Sequence, residues 1–172
     1  MPETPGFNPT RLIEEHQAGV WRYLRALGCE ASQAEDLTQE VFIAVLQRPF
    51  QDYNSAATAA YLRRTAYNMF ISDQRRNGRM IAVEELEVVD TRWVELAGSD
   101  NGDGLLESLR DCLQGLSARA RRALELRFHE RETRATIADA LEITEHGAKN
   151  LMQRAKKQLR ECIENKMASG NE

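Results

Sequence analysis

Apolar residues return at intervals of three and four along most of this chain, and no stretch alternates cleanly over the length of a strand. The pattern predicts an all-α protein. A first helix is expected from Asn8 or Thr10, with Pro9 in its opening turn, to about Leu27; it carries Leu12, Ile13, Val20 and Leu24, and Gly28 ends it. Ser32 and Glu35 have capping-box spacing for a second helix reaching about Gln47, where Pro49 stops it. A third long helix is expected over 56–77, closing at Gly78. Further along, the periodicity predicts helices near 105–114, 117–129, 133–140 and 145–165, with Ser117, Thr133 and Thr144 as N-cap candidates.

Read by angle, the second helix has two distinct sides. Ala34, Thr38, Val41 and Val45 fall on one face, flanked by Leu37 and Phe42, and are expected to be core. Asp36, Gln39, Glu40, Ile43 and Gln47 form a narrow stripe on the other side, facing solvent. Carboxylates this close could serve acid-base chemistry. No His, Ser or Cys partner lies nearby in sequence, however, and the chain has no phosphate-binding glycine loop, so an enzyme finds little support.

The C-terminal pattern is a short helix, a tight turn and a basic amphipathic helix, which is the spacing of a helix-turn-helix. On the last helix Ala148, Leu151, Met152, Ala155, Leu159 and Cys162 share an arc of roughly 100° and are expected to be buried. His146, Lys149, Asn150, Gln153, Arg154, Lys157 and Arg160 lie outside that arc, as amide and cationic groups able to reach base edges and phosphates in a major groove.

Composition changes this picture in three places. The net charge of −4 looks unfavourable for a DNA binder, but the acidity is local: residues 81–104 hold seven carboxylates and one arginine. That stretch ends in Gly98-Ser99-Asp100-Asn101-Gly102-Asp103-Gly104, a turn-forming composition that reads as a flexible linker. By contrast, residues 61–79 carry five arginines against one aspartate, and 149–160 carry five basic groups with no acid, two local footprints for phosphate. Cys29, Cys112 and Cys162 are widely spaced without a CxxC pair, so reduced, partly buried thiols are expected, with neither a disulfide framework nor a zinc site. With a mean hydropathy of −0.56, no bilayer-length apolar run and no signal-peptide pattern, a soluble cytoplasmic protein without membrane insertion is expected.

The stretch QAEDLTQEVF at 33–42 resembles the D-A-E-D-L-x-Q-E-x-F signature of region 2 in the bacterial primary sigma factor family. The order of the segments beyond it resembles that of the family's small two-domain members, the extracytoplasmic-function (ECF) sigma factors, and the likeness spans about residues 8–165. The resemblance implies two small helical domains joined by a flexible acidic linker: region 2 at 8–79, the linker at 80–104 and region 4 at 105–165. It implies that Asp36, Gln39, Glu40 and Ile43 dock on the clamp helices of the RNA polymerase largest subunit. YLRRTAYNMFISDQRRNGR at 61–79 is similar to the helix that melts and reads the minus-10 element. There Tyr61 stands where the family usually has Trp, and Asn68, Arg75 and Arg76 match its Asn and basic pair, with Arg64 on the same helix. Phe50, Tyr53 and Asn54, in the loop before that helix, offer aromatic faces and an amide to a base taken out of the stack.

Residues 118–161 resemble region 4, which binds the minus-35 element and the polymerase flap; the resemblance places His146, Lys149, Asn150, Gln153, Arg154 and Lys157 on DNA. Gln33, Ser72, Glu142 and Leu151 depart from the family pattern, Glu142 by standing where the turn usually has Gly. The implied partners are core RNA polymerase and promoter DNA, with an anti-sigma factor left open. The protein is expected to be a monomer when free or bound to such a factor, with no cofactor, metal or catalytic residue. The competing reading is a stand-alone helix-turn-helix regulator, a dimer on duplex DNA, which leaves the 33–42 signature unexplained.

Overall fold

The computed structural model describes residues 7–48, 54–79, 82–98 and 100–170. It divides into two units, 1–103 and 104–172, and every regular element among the described residues is a helix.

In the first unit, α1 (Pro9–Ala26), α2 (Ala31–Leu46) and α3 (Ser55–Arg76) pack against one another around a single core. Asn8 opens α1 by accepting from the backbone N–H of Thr10 (3.0 Å) and Arg11 (3.3 Å), and Asn54 opens α3 by accepting from Ala57 (2.8 Å). Gly28, at φ +106°, makes the left-handed step out of α1 that a side chain would resist. The expected capping box does not form. Helix α2 begins at Ala31, which places Ser32 inside the first turn, and Glu30 occupies the cap position without capping the helix through its side chain. The core of this unit is Leu12, Val20, Tyr23 and Leu24 of α1, the apolar face of α2 as expected, and Leu62, Ala66 and Phe70 of α3. Thr38 sits among them with its hydroxyl donated to the carbonyl of Ala34 (2.6 Å), so its burial leaves no polar group unpaired. Burial pushes the Cys29 thiol up to about 12, helped by the nearby Asp73 charge.

The segment expected to be a flexible tether contains a fifteen-residue helix, α4 (Val83–Ala97), packed on the first unit. Leu86, Val89 and Trp93 recur at helical spacing and rest half-buried against the core of α1–α3, with Asp90 half-buried beside them, while Glu84, Glu85, Glu87 and Glu95 are exposed on the remaining sides. The turn after it is fastened to α1. Asn101 donates to the carbonyl of Glu15 (2.8 Å), and Arg22 donates to the carbonyl of Asn101 (3.1 Å) and pairs with Asp103. Gly19 permits this approach: a Cβ there would lie 2.5 Å from the Asn101 side chain. Beneath α4 a cavity of about 60 Å³ meets the buried His16, whose Nδ1 has no hydrogen-bond partner among the described residues.

The second unit comprises α5 (Asp103–Gln114), whose first residue still belongs to the first unit, α6 (Ala118–Phe128), α7 (Arg134–Leu141) and α8 (Glu145–Ser169). Ser117, Thr133 and Thr144 cap α6, α7 and α8 through their hydroxyls, as their positions predict. Leu116, Ala123, Leu124, Leu126, Ile137, Ala148, Met152 and Ala155 form its core. Glu142 adopts the left-handed conformation (φ +55°, ψ +46°) at the end of α7, so the tight turn is kept at a cost of about 1–2 kcal/mol relative to glycine. Reduced thiols at 112 and 162 are a mistaken expectation: Cys112 and Cys162 form a disulfide tying α5 to α8, their Cα atoms 5.9 Å apart. Fifty residues separate them in sequence, and only packing of the second unit brings them together.

Candidate protein and nucleic-acid interfaces

Helix α2 presents Asp36, Gln39, Glu40 and Ile43 to solvent, Ile43 with 56% of its surface exposed. Among the described residues none of these polar groups makes a hydrogen bond or ion pair within the chain. Their backbone is nonetheless fixed, because the other side of α2 is almost wholly buried. An acidic and amide stripe with an exposed isoleucine in it, on a backbone already ordered before binding, suits a protein partner.

On α3, Tyr61, Arg64, Asn68, Arg75 and Arg76 are exposed along one long helix, and Leu62, Ala66 and Phe70 anchor its other side. Arg76 lies 3.9 Å from Asp73, and Asp73 also accepts from Gln33 of α2 and from Asn77. Asn54 is exposed but uses its side-chain oxygen as the α3 cap. Phe50 and Tyr53 lie outside the described residues. A groove of about 600 Å³ runs beside α3: Arg63, Arg64, Tyr67 and Asn68 form one wall, and Glu87, Asp90 and Thr91 of α4 the other. Asp90 accepts from the Tyr23 hydroxyl (2.7 Å) and lies 3.5 Å from Nε of Arg63. Burial raises the Tyr23 hydroxyl pKa, and the hydrogen bond to Asp90 adds to the rise. Tyr67 is raised by burial first, then by the Glu87 and Asp90 charges, so the groove is electronegative at its α4 side.

On α8 the division into two sides holds. Ala148, Met152 and Ala155 are buried, with Leu151, Leu159 and Cys162 half-buried beside them. His146, Lys149, Gln153, Arg154 and Lys157 are exposed, whereas Asn150 is half-buried and thus less available than its helical position suggests. Arg154 donates back to the carbonyl of Asn150 (3.4 Å), and Lys157 stands 4.0 Å from Glu161. The cationic side therefore has only loose partners of its own.

Similarity to known proteins divides along the same two units. Residues 12–80 match the Sigma-70 region 2 family and residues 106–159 the Sigma-70 region 4 family. Over 152 residues the chain is 33% identical to the ECF RNA polymerase sigma factor SigL of Mycobacterium tuberculosis, covering 87% of this chain and 85% of that one. The chain belongs to the ECF RNA polymerase sigma factors. A shorter likeness, 38% over 69 residues, links it to the ECF RNA polymerase sigma factor SigE of Mycolicibacterium smegmatis, covering 40% of this chain and 26% of that one. A solved RsbN-BldN complex aligns over 90% of each chain at 21% identity with a TM-score of 0.33, too low to carry its arrangement over.

Within this ECF sigma factor, α1–α3 fall in the region 2 match and α6, α7 and most of α8 in the region 4 match. Helix α4 lies between the two matched segments. Sequence reasoning missed the residues that place it: Tyr23, Arg63, Asp90 and Trp93. The recurrence of Leu86, Val89, Trp93 and Ala97 was the available signal, overshadowed by the acidic composition around it. No helix among the described residues is long and apolar enough to cross a membrane, and no cluster of three or more metal-ligating side chains occurs among them.

Proposed function

We propose that this sigma factor acts in the cytoplasm as the promoter-specificity subunit of RNA polymerase, with its tasks divided among three helices. The α2 stripe of Asp36, Gln39, Glu40 and Ile43 docks on the clamp helices of the largest subunit. Helix α3, with the loop before it, engages the minus-10 element through Tyr61, Arg64, Asn68, Arg75, Arg76 and the side chains of Phe50, Tyr53 and Asn54. Helix α8 engages the minus-35 element, with Gln153 and Asn150 toward bases and Lys149, Arg154, Lys157 and His146 toward the backbone. No step is chemical: binding energy selects the site and holds the opened strand, while phosphoryl transfer belongs to the polymerase. The observation that carries this reading is the pairing, in one chain, of a partner-free acidic stripe with a separate basic helix-turn-helix.

The test is run-off transcription with purified core polymerase on a genomic promoter library, together with an Asp36→Ala, Gln39→Ala, Glu40→Ala triple variant. These side chains are not core, so the variant should fold normally and bind core polymerase more than tenfold more weakly, a loss above about 1.4 kcal/mol. Unchanged co-purification with core would remove the stripe from the interface. Tight dimeric binding to duplex DNA without any transcription would favour a stand-alone regulator.

A further inference from the structure

We propose that α4 is an acidic latch: it rests along the promoter-facing side of the first domain, competes there with the single-stranded minus-10 DNA, and leaves when that DNA binds. The proposal rests on the assignment of the minus-10 element to α3.

The groove between α3 and α4 is where a strand tracking past Tyr61, Arg64 and Asn68 runs closest to α4. Its far wall carries Glu87 and Asp90, so a phosphate entering it meets two carboxylates well inside the screening distance of about 8–10 Å. Arg63, the cation of α3 nearest those acids, is already paired with Asp90 at 3.5 Å and three-quarters covered, and it can neutralise a phosphate only by giving that partner up. Binding of α4 and binding of DNA at this groove are thus antagonistic, and each weakens the other by the same factor.

The attachment of α4 suits a part that must come away. Of its fifteen residues only Ala97 is fully buried. Leu86, Val89 and Trp93 are half-buried on the rim of a core that α1, α2 and α3 complete among themselves, and Trp93 meets Tyr23 with ring centroids 5.9 Å apart. A helix of this length is marginal alone in water, so once displaced α4 becomes a tether of the kind its composition suggests. Docked, it places five carboxylates against one arginine beside α3.

The experiment uses the full chain and a fluorescein-labelled, random-sequence single-stranded DNA of about 16 nucleotides at low salt, about 50 mM, read by anisotropy. A Glu87→Gln, Asp90→Asn variant should bind roughly fivefold more tightly or better, the gain shrinking as salt rises. A Glu84→Gln, Glu95→Gln variant changes net charge equally on positions that do not line the groove, and should gain less than about twofold by the same screening. Trp93→Ala removes the apolar anchor with no change in charge; it too should bind more tightly, with faster amide exchange across 83–97 and unchanged helicity of α1–α3. Equal gains from the two charge-neutralising pairs, or unchanged affinity in Trp93→Ala with α4 demonstrably released, would overturn the latch. Arg64→Ala with Asn68→Ala, placed in the Trp93→Ala background, separates the two ideas. If the gain survives those changes, DNA is held elsewhere and the minus-10 assignment falls together with the latch. If they weaken wild-type binding but no gain ever appears, the latch alone falls.

Discussion

Helices α3 and α8 are the two cationic helices proposed to meet DNA, and they sit in opposite surroundings. Around α8 the basic side is open: Lys149, Gln153 and Lys157 are exposed, and among the described residues Glu161, 4.0 Å from Lys157, is their one local acidic partner. Beside α3 the basic side is edged by an acidic helix that holds Arg63 and faces Arg64 and Asn68 across a groove. Similar local composition thus gives two different electrostatic sites. The face proposed for duplex DNA can meet phosphates at any time, whereas the face proposed for a melted strand is screened by the protein's own carboxylates.

The largest way to disturb this contrast is through the disulfide, because it braces α8 while nothing equivalent braces α3. Closing a loop of about fifty residues, the Cys112–Cys162 bond should contribute about 2–4 kcal/mol to the second unit. Reduction, or Cys162→Ser, should lower the thermal midpoint of that unit and leave the first unit's unchanged, as calorimetry on the full chain would read. A single shared shift of both transitions would mean that the two units do not melt independently.

A smaller effect resolves the roles within α8. In holoenzyme, Gln153→Ala should cost about 1–3 kcal/mol of discrimination at one minus-35 position. Lys157→Ala should weaken all sequences alike and reduce the salt slope by about one. Asn150→Ala should reshape preference less than Gln153→Ala, since Asn150 is half-buried. A base-substitution series measured for the three variants checks this, and base-dependent losses in Lys157→Ala would reverse the assigned roles.

The smallest effect concerns the seat of α4. Gly19→Ala would drive a methyl group into Asn101, within 2.8 Å of that residue's Cβ, and should cost about 1–2 kcal/mol by displacing the turn after α4. The change is uncharged, so loosened exchange protection over 83–103 with intact α1–α3 is the outcome to look for; uniform protection would show that the turn adjusts without loss.

Much of this architecture was legible in the chain because it depends on local rules. The 3.6-residue periodicity and the caps Asn8, Ser117, Thr133 and Thr144 placed helix ends to within a few residues. The two sides of α2 and of α8 came from angle alone, since a helix fixes which residues share a face. The Ser32 capping box failed because competition among neighbouring residues for the cap position is settled by where the helix starts in the packed domain, and α2 starts two residues earlier.

The family, the all-helical fold and the exposed character of the α2 and α8 faces are therefore written in short-range pattern. Three features depended instead on the packed molecule: the Cys112–Cys162 bond, the Tyr23–Asp90–Arg63 cluster, and the docking of α4. The first two join residues 27 to 67 positions apart, and the third brings a later helix back onto earlier ones. An acidic amphipathic segment can equally well stay solvated until a partly exposed apolar rim offers it a place. Burial of a few side chains such as Leu86, Val89 and Trp93 tips that balance, and burial is a property of the assembled core rather than of any stretch of sequence.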